Sequence, residues 1–95
     1  MNETTKALYE EALNAFTEAR NELAAATIAY DRVRHRTRKA LYDLKESGTR
    51  KMTEEQIRSE SVVQCQEVYE RYTAAAGVCD IARERLEFIK AIANN

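Results

Sequence analysis

Apolar side chains recur along most of this chain in alternating steps of three and four residues, which is the heptad spacing of a coiled coil. In the first half, the two heptad positions are occupied by Tyr9, Phe16, Leu23, Tyr30, Thr37 and Leu44, and by Thr5, Ala12, Ala19, Ala26, Val33 and Ala40. In the second half, they are occupied by Arg58, Cys65, Tyr72, Cys79, Leu86 and Ala93, and by Glu54, Ser61, Val68, Ala75, Ala82 and Ile89. The pattern predicts two long helices.

A single convincing interruption of this pattern lies over residues 47–52, near the middle of the 95-residue chain. Gly48 can adopt the left-handed conformation that ends a helix, and Thr53 is followed three residues later by a glutamine, as in a capping box. We therefore predict a first helix over about residues 4–46, a turn over 47–52 and a second helix over about 53–93. Together they form one all-α domain, an antiparallel two-helix hairpin of the coiled-coil type.

Folding the chain at Thr49 pairs residues that lie equally far from this position, and large side chains then mostly face small ones. The predicted pairs include Tyr9 with Ile89, Ala12 with Leu86, Phe16 with Ala82, Leu23 with Ala75, Tyr30 with Val68 and Thr37 with Ser61. Near the turn, the same register places Ala40 opposite Arg58 and Leu44 opposite Glu54. We therefore expect few apolar contacts at this end, which should open locally at low cost.

A second apolar stripe lies beside the heptad positions of the second helix and is interrupted only by Arg85. Its large residues are Val78, Ile81, Phe88 and Ile92. One hairpin leaves this stripe uncovered, and uncovered apolar stripes usually mark interfaces. We therefore predict self-association into a helical bundle or ring through these residues. A groove for a different protein is the alternative.

Charge is unevenly distributed, although 15 basic and 16 acidic residues nearly cancel. Residues 32–58 carry nine basic and four acidic side chains, a net charge of +5, whereas residues 1–31 and 59–95 are both acidic. Arginine forks suit phosphate groups, and an exposed tyrosine in this region can stack on an unpaired base. The candidate nucleic-acid-binding residues are Arg32, Arg34, Arg36, Arg38, Lys39, Tyr42, Lys45, Arg50 and Lys51.

The basic region has two other interpretations, namely a contact for an acidic protein surface and an inert solvated face. The sequence lacks a catalytic Ser-His-Asp or Cys-His pattern, a phosphate-binding loop and a metal-binding motif, and His35 is its single histidine. We therefore expect no enzymatic activity, no catalytic residue, no cofactor and no metal site.

Cys65 and Cys79 are separated by 14 positions, which on one continuous helix is roughly 21 Å and beyond the reach of a disulfide. Buried thiols in a reducing compartment are the expected state. No apolar run approaches the length of a membrane span, and the N-terminus shows no signal-peptide pattern. We therefore expect a soluble, cytoplasmic protein without a membrane contact.

Three segments match the pattern of a known family. They are the stretch Met-Thr-Glu-Glu-Gln-Ile-Arg at 52–58, the spaced residues Val62, Val68, Tyr69 and Tyr72, and the stretch Leu-Glu-Phe-Ile-Lys at 86–90. Over about residues 30–92 the chain thereby resembles the UvsY-type small recombination mediators of tailed phages. The resemblance implies a helical protein that forms rings, binds single-stranded DNA and helps to load a recombinase past single-strand-binding protein.

The combined prediction is an accessory protein of phage type that binds single-stranded nucleic acid through the basic end of the hairpin. The resemblance implies in addition that it loads a recombinase, and a different protein partner is the alternative. The alternative is a small phage-encoded interaction protein, such as an inhibitor of a host defence. Its basic end would then block a nucleic-acid-binding or acidic surface of a host protein. In either case the expected compartment is the cytoplasm of the bacterial host.

Overall fold

A computed structural model of the protein describes residues 2–94. Over this range the chain forms three helices and no strand, namely α1 (Glu3–Glu46), α2 (Glu54–Gln64) and α3 (Gln66–Ala93). The all-α class is therefore as predicted, but the second predicted helix is divided in two at Cys65. None of the helices within the described range is both long enough and apolar enough to cross a membrane.

Both ends of α1 have local causes in the sequence. The helix begins slightly earlier than predicted because Asn2 caps it, with the Thr5 N–H donating to Asn2 Oδ1 at 2.7 Å. At the other end Gly48 has a φ of 73°, the left-handed conformation that the sequence predicts. The Gly48 N–H donates to the carbonyl oxygen of Lys45 at 3.2 Å, which satisfies one of the last carbonyls of the helix.

The start of α2 is the predicted capping box. The backbone N–H of Gln56 donates to Thr53 Oγ1 at 3.1 Å, and the backbone N–H of Thr53 donates to Gln56 Oε1 at 2.9 Å. Glu54 and Glu55 occupy the first turn, where their negative charge interacts favourably with the helix dipole. These contacts fix the residue at which the chain re-enters a helix after the turn.

The described residues divide into two compact units. The first unit contains the residues up to Ala25 and those from Thr73 onward, and the second unit is Ala26–Tyr72. Each unit has its own apolar cluster. The buried residues of the first cluster are Ala12, Leu86 and Ile89, and the half-buried rings of Tyr9 and Phe16 pack against them.

The first unit therefore brings together residues that the heptad register pairs. Ala12 and Leu86 share one cluster, and Tyr9 packs against the cluster that contains Ile89. At the edge of this packing, the guanidinium of Arg85 lies 3.4 Å from the carboxylate of Glu11. The unit thus combines an apolar contact with an ion pair between α1 and α3.

The second unit has a compact apolar cluster where the sequence predicts a weak one. Leu41, Met52 and Ile57 are buried together, and Tyr42 packs against them. Ile57 is only 1% exposed. The prediction that few apolar contacts hold this end is therefore wrong.

The prediction is wrong because the inward-facing position near the turn is shifted by one residue in α1 and by one residue in α2. On α1 the inward-facing residues are Val33, Thr37 and Leu41, which are separated by two successive steps of four residues. In the segment that begins with α2 they are Ile57, Ser61 and Cys65, with the same two steps. Two such steps form a stutter, which locally unwinds the coiled-coil geometry. Leu41 therefore replaces Ala40 in the core, and Ile57 replaces Arg58.

The interruption between α2 and α3 lies at the end of this stutter. Cys65 has φ −95° and ψ 9°, outside the helical range, and its thiol lies 3.8 Å from Thr37 Oγ1. Cys65 and Cys79 are both buried free thiols. The prediction that the two thiols are buried is confirmed.

Candidate nucleic-acid interface

The five basic residues at positions 32–39 divide between two faces of α1. Residues two positions apart differ by about 200° around a helix, whereas residues four apart share a face. One face carries Arg34 and Arg38. The opposite face carries Arg32, Arg36 and Lys39.

Arg34 and Arg38 line a cavity together with Arg58 of α2. The cavity has a volume of about 190 Å³, and we call it the arginine pocket. Its remaining lining residues are Tyr30, Ser61, Val62 and Cys65. None of these lining residues carries a carboxylate, so three guanidinium groups supply the charge of the pocket.

Arg34 contacts the ring of Tyr30, which packs against two other tyrosines. Its guanidinium carbon lies 5.3 Å from the centre of the Tyr30 ring, which is the geometry of a cation–π contact. The Tyr30 ring in turn stacks on Tyr72, with ring centres 5.6 Å apart and planes inclined by 15°. Tyr69 contacts Tyr30 at the same centre distance, with a tilt of 54°. One ring therefore contacts the cation, and two further rings pack against that ring.

The other two cations of the pocket are not paired with a carboxylate. Across residues 2–94, neither Arg38 nor Arg58 forms an ion pair. Arg34 does have a carboxylate nearby, since its Nη2 lies 3.4 Å from Asp31 Oδ1. Both side chains of this pair are about half exposed, so water and salt weaken it. The pocket therefore keeps most of its positive charge for a ligand.

The polar group at the base of the pocket is already satisfied. Ser61 is buried, and its hydroxyl donates to the carbonyl oxygen of Ile57 at 2.8 Å. Its proton is thus committed to the backbone. The other side-chain donors of the lining are the guanidinium groups, the Tyr30 hydroxyl and the Cys65 thiol, and of these the guanidinium groups carry the charge.

A second and larger cavity of about 720 Å³ lies beside the start of α2. It is lined by Arg50 and Lys51 but also by Glu55 and Glu60. Arg50 Nη1 lies 2.8 Å from Glu60 Oε1, so one of the two cations is neutralised within the lining. The lining of this cavity therefore has as many carboxylates as cations, whereas the lining of the arginine pocket has cations alone.

The structure separates the predicted binding residues into three groups. Arg34 and Arg38 line the arginine pocket, and Arg50 and Lys51 line the larger cavity. The third group is exposed on α1 and lines neither cavity, and it consists of Arg32, Arg36, Lys39 and Lys45. The predicted set is therefore not one continuous surface.

Tyr42 does not occupy the exposed position that the sequence predicts. Its ring is half buried against the cluster of Leu41, Met52 and Ile57, so the expectation that Tyr42 is exposed is wrong. Its role in base stacking stays a prediction. Tyr69 is the exposed aromatic residue next to Tyr30, at 43% exposure. Among the four tyrosines of this unit it is the most exposed.

Arg58 is the pocket residue that sequence reasoning missed. The regular heptad assigns it to the core opposite Ala40, whereas the stutter turns it outward and buries Ile57. The signal was present in the sequence, since Met52 and Ile57 are the large apolar residues of this segment and neither occupies a heptad position.

The first unit carries the apolar stripe that the sequence predicts. Val78, Ile81, Phe88 and Ile92 are each more than half exposed, with Ile81 and Phe88 at 68% and 66%. Arg85 interrupts the stripe, but its charge is paired with Glu11. The stripe is therefore uncovered within the described chain and carries no isolated cation.

Comparison of the chain with protein-family models, curated proteins and solved structures finds no match. The resemblance to phage recombination mediators therefore stays a prediction based on the three sequence segments. What the protein does must be inferred from the geometry of the arginine pocket and of the apolar stripe.

Proposed function

We propose that this protein binds single-stranded nucleic acid and that the arginine pocket is its main phosphate contact. The observation that carries the proposal is that Arg34 and Arg38 of α1 and Arg58 of α2 line one cavity. A planar guanidinium donates two parallel hydrogen bonds to a phosphate, which makes arginine the preferred residue for this contact. Three of them in a lining without a carboxylate favour an anionic ligand.

A single strand suits this surface better than a duplex. Tyr69 is exposed beside the pocket and can stack on a base, but bases in a duplex are already stacked on one another. Stacking on one aromatic ring typically contributes about 1–3 kcal/mol per base. Phosphate contacts in the pocket and a stacked base at Tyr69 together define a short binding site.

Salt dependence and paired variants test the proposal. Fluorescence anisotropy with a labelled single-stranded oligonucleotide should show affinity that falls with salt, with a slope of about −0.7 per neutralised phosphate. The pocket variant Arg34→Gln/Arg38→Gln/Arg58→Gln should bind at least about tenfold more weakly and with a flatter slope.

The matched control removes the same charge from the opposite face of α1. The variant Arg32→Gln/Arg36→Gln/Lys39→Gln should lose much less affinity than the pocket variant. Equal losses in the two variants would show that net charge alone drives binding. A wild-type protein with no measurable binding at about 100 mM salt would refute the proposal.

We also propose that the helices form an antiparallel coiled-coil hairpin that self-associates through the apolar stripe. The hairpin is supported by the clustering of Ala12 with Leu86 in one unit and of Leu41 with Ile57 in the other, since both pairs lie equally far from Thr49. Self-association is supported by the exposure of the stripe and by the Glu11 partner of Arg85. A second copy of the chain then covers an apolar surface whose single cation, Arg85, lies beside the carboxylate of Glu11.

One observation favours a protein ligand as the second candidate function. Val62 lines the arginine pocket, and both Val62 and Val63 are exposed, with Val63 at 71%. Exposed apolar side chains beside cations suit a protein surface that combines carboxylates with apolar groups. An inhibitor that binds such a surface would need Val62 and Val63 as well as the arginines. Binding to a recombinase would need the same residues.

The two candidate functions differ in their response to Val62→Ser/Val63→Ser. If the ligand is a single strand, this variant should bind it as the wild type does, because the arginines and Tyr69 remain. If the wild-type protein binds no nucleic acid, the inhibitor function replaces the proposed one.

A further inference from the structure

The arginine pocket has the size of a chemical group and not of a whole nucleotide. Its volume is about 190 Å³. Pockets for complete small-molecule ligands usually enclose about 300–1,000 Å³. A phosphate group fits this volume, and we expect the attached sugar and base to lie outside the arginine pocket.

The pocket also reaches the layer in which the helices pack. Ser61 and Cys65 belong to its lining, and they are only 3% and 1% exposed. The cavity therefore extends from the guanidinium groups to buried residues of the packing layer. An internal phosphodiester continues into a sugar on both sides, which limits how deeply it can enter such a cavity. A terminal phosphate continues on one side only.

The charge of the lining favours a terminal phosphate as well. A phosphate monoester carries about −1.5 to −2 charges at pH 7, whereas an internal phosphodiester carries one. The phosphate monoester also has three free oxygens that accept hydrogen bonds. The guanidinium groups of Arg34, Arg38 and Arg58 each provide several donors. Three cations without a carboxylate in the lining match the more highly charged group.

We propose that the arginine pocket binds a terminal phosphate monoester and thereby anchors the end of a nucleic-acid strand. This inference rests on the proposed function, because it specifies which part of the strand enters the pocket. The same chemistry occurs at a 5′-phosphate and at a 3′-phosphate. The experiment must therefore distinguish the two ends.

The test compares oligonucleotides of one sequence that differ only at their ends. One has hydroxyl groups at both ends, one has a 5′-phosphate and one has a 3′-phosphate, each with an internal fluorescent label. At one of the two ends, the phosphate should strengthen binding about tenfold, which is the effect of one additional charge-assisted hydrogen bond. The end that shows this gain is the end that the pocket binds.

Two variants locate the effect. Arg58→Gln should abolish the preference for the phosphorylated end, because it removes the cation that α2 contributes to the pocket. Arg36→Gln removes the same side chain from the opposite face of α1 and should leave the preference unchanged. A preference that survives in Arg58→Gln would place the end-binding site elsewhere and overturn the inference.

The outcomes separate this inference from the proposed function. Equal affinity for all three oligonucleotides, with the loss of binding still confined to the pocket variant, overturns the inference and leaves single-strand binding in place. Absence of binding to every oligonucleotide refutes both. A preference for one phosphorylated end that Arg58→Gln removes supports both.

Discussion

The guanidinium carbon of Arg34 lies 5.3 Å from the centre of the Tyr30 ring, one helical turn earlier on α1. Because Tyr30 is itself stacked on Tyr72, the cation rests on a ring that cannot easily turn away. Arginine side chains normally lose considerable rotamer entropy when they bind a ligand. The contact with Tyr30 restricts Arg34 before any ligand arrives.

Replacing Tyr30 should therefore weaken single-strand binding even though no charge is lost. A cation–π contact at a partly exposed site contributes about 0.5–1 kcal/mol, which corresponds to a two- to fivefold change in affinity. Tyr30→Leu should show this loss in anisotropy titrations, and Tyr30→Phe should not. Equal affinity of Tyr30→Leu and wild type would mean that Arg34 needs no aromatic support.

The local start and stop signals were readable from the sequence, because each depends on a few neighbouring residues. Gly48 takes its left-handed conformation and Thr53 forms its capping box without help from distant parts of the chain. The stutter was not readable in the same way. Whether Ile57 or Arg58 faces inward depends on which residues of α1 meet α2, and a strict heptad assigns the wrong one. The strict heptad places Arg58 in the core, and for this reason the sequence does not predict the arginine pocket.

The core near the turn should contribute strongly to stability. Ile57→Ala removes most of a side chain that is almost completely buried with Leu41 and Met52, and we expect a loss of about 2–5 kcal/mol in the free energy of unfolding. Urea denaturation followed by far-UV circular dichroism measures this change. As a control, Val63→Ala at an exposed position of the same helix should cost less than about 0.5 kcal/mol. If Ile57→Ala lowers the free energy of unfolding as little as the control does, the apolar cluster near the turn contributes little to stability, and this end of the helices opens at low cost.

Gly77 should be replaceable with a gain in stability. It lies inside α3, and a Cβ atom added there meets no atom within 4 Å. Alanine is favoured over glycine in a helix interior by about 1 kcal/mol, so Gly77→Ala should raise the free energy of unfolding by up to that amount. Gly48→Ala is the contrasting variant and should lower it, because position 48 has a positive φ. A destabilised Gly77→Ala would indicate that another chain packs closely against this position.

The apolar stripe should hold copies of the chain together. We expect light scattering to report a mass above that of one chain for the wild type and a lower mass for Ile81→Glu/Phe88→Glu. The variant Ile28→Glu/Val63→Glu makes the same chemical change at exposed apolar positions of the second unit and should keep the wild-type mass. A monomeric wild type, or an equal loss of mass in the control, would remove the stripe as the interface.

Asp31 should act as a competitor of the nucleic-acid ligand. Its carboxylate lies 3.4 Å from Arg34 Nη2, so a phosphate that uses this nitrogen must displace it. Exposed ion pairs are worth less than about 1 kcal/mol, and Asp31→Asn should therefore tighten single-strand binding by at most about fivefold. The gain should shrink as salt is raised, because screening weakens the original pair.

The control for this prediction changes the same charge at a distance. Asp43 lies 12 positions further along α1, roughly 18 Å away, so Asp43→Asn alters the net charge equally without freeing Arg34. Anisotropy titrations at about 100 mM salt should show tighter binding for Asp31→Asn than for Asp43→Asn. If the two variants gain equally, net charge is sufficient to explain the effect. If neither gains, Arg34 does not contact the strand through the nitrogen that faces Asp31.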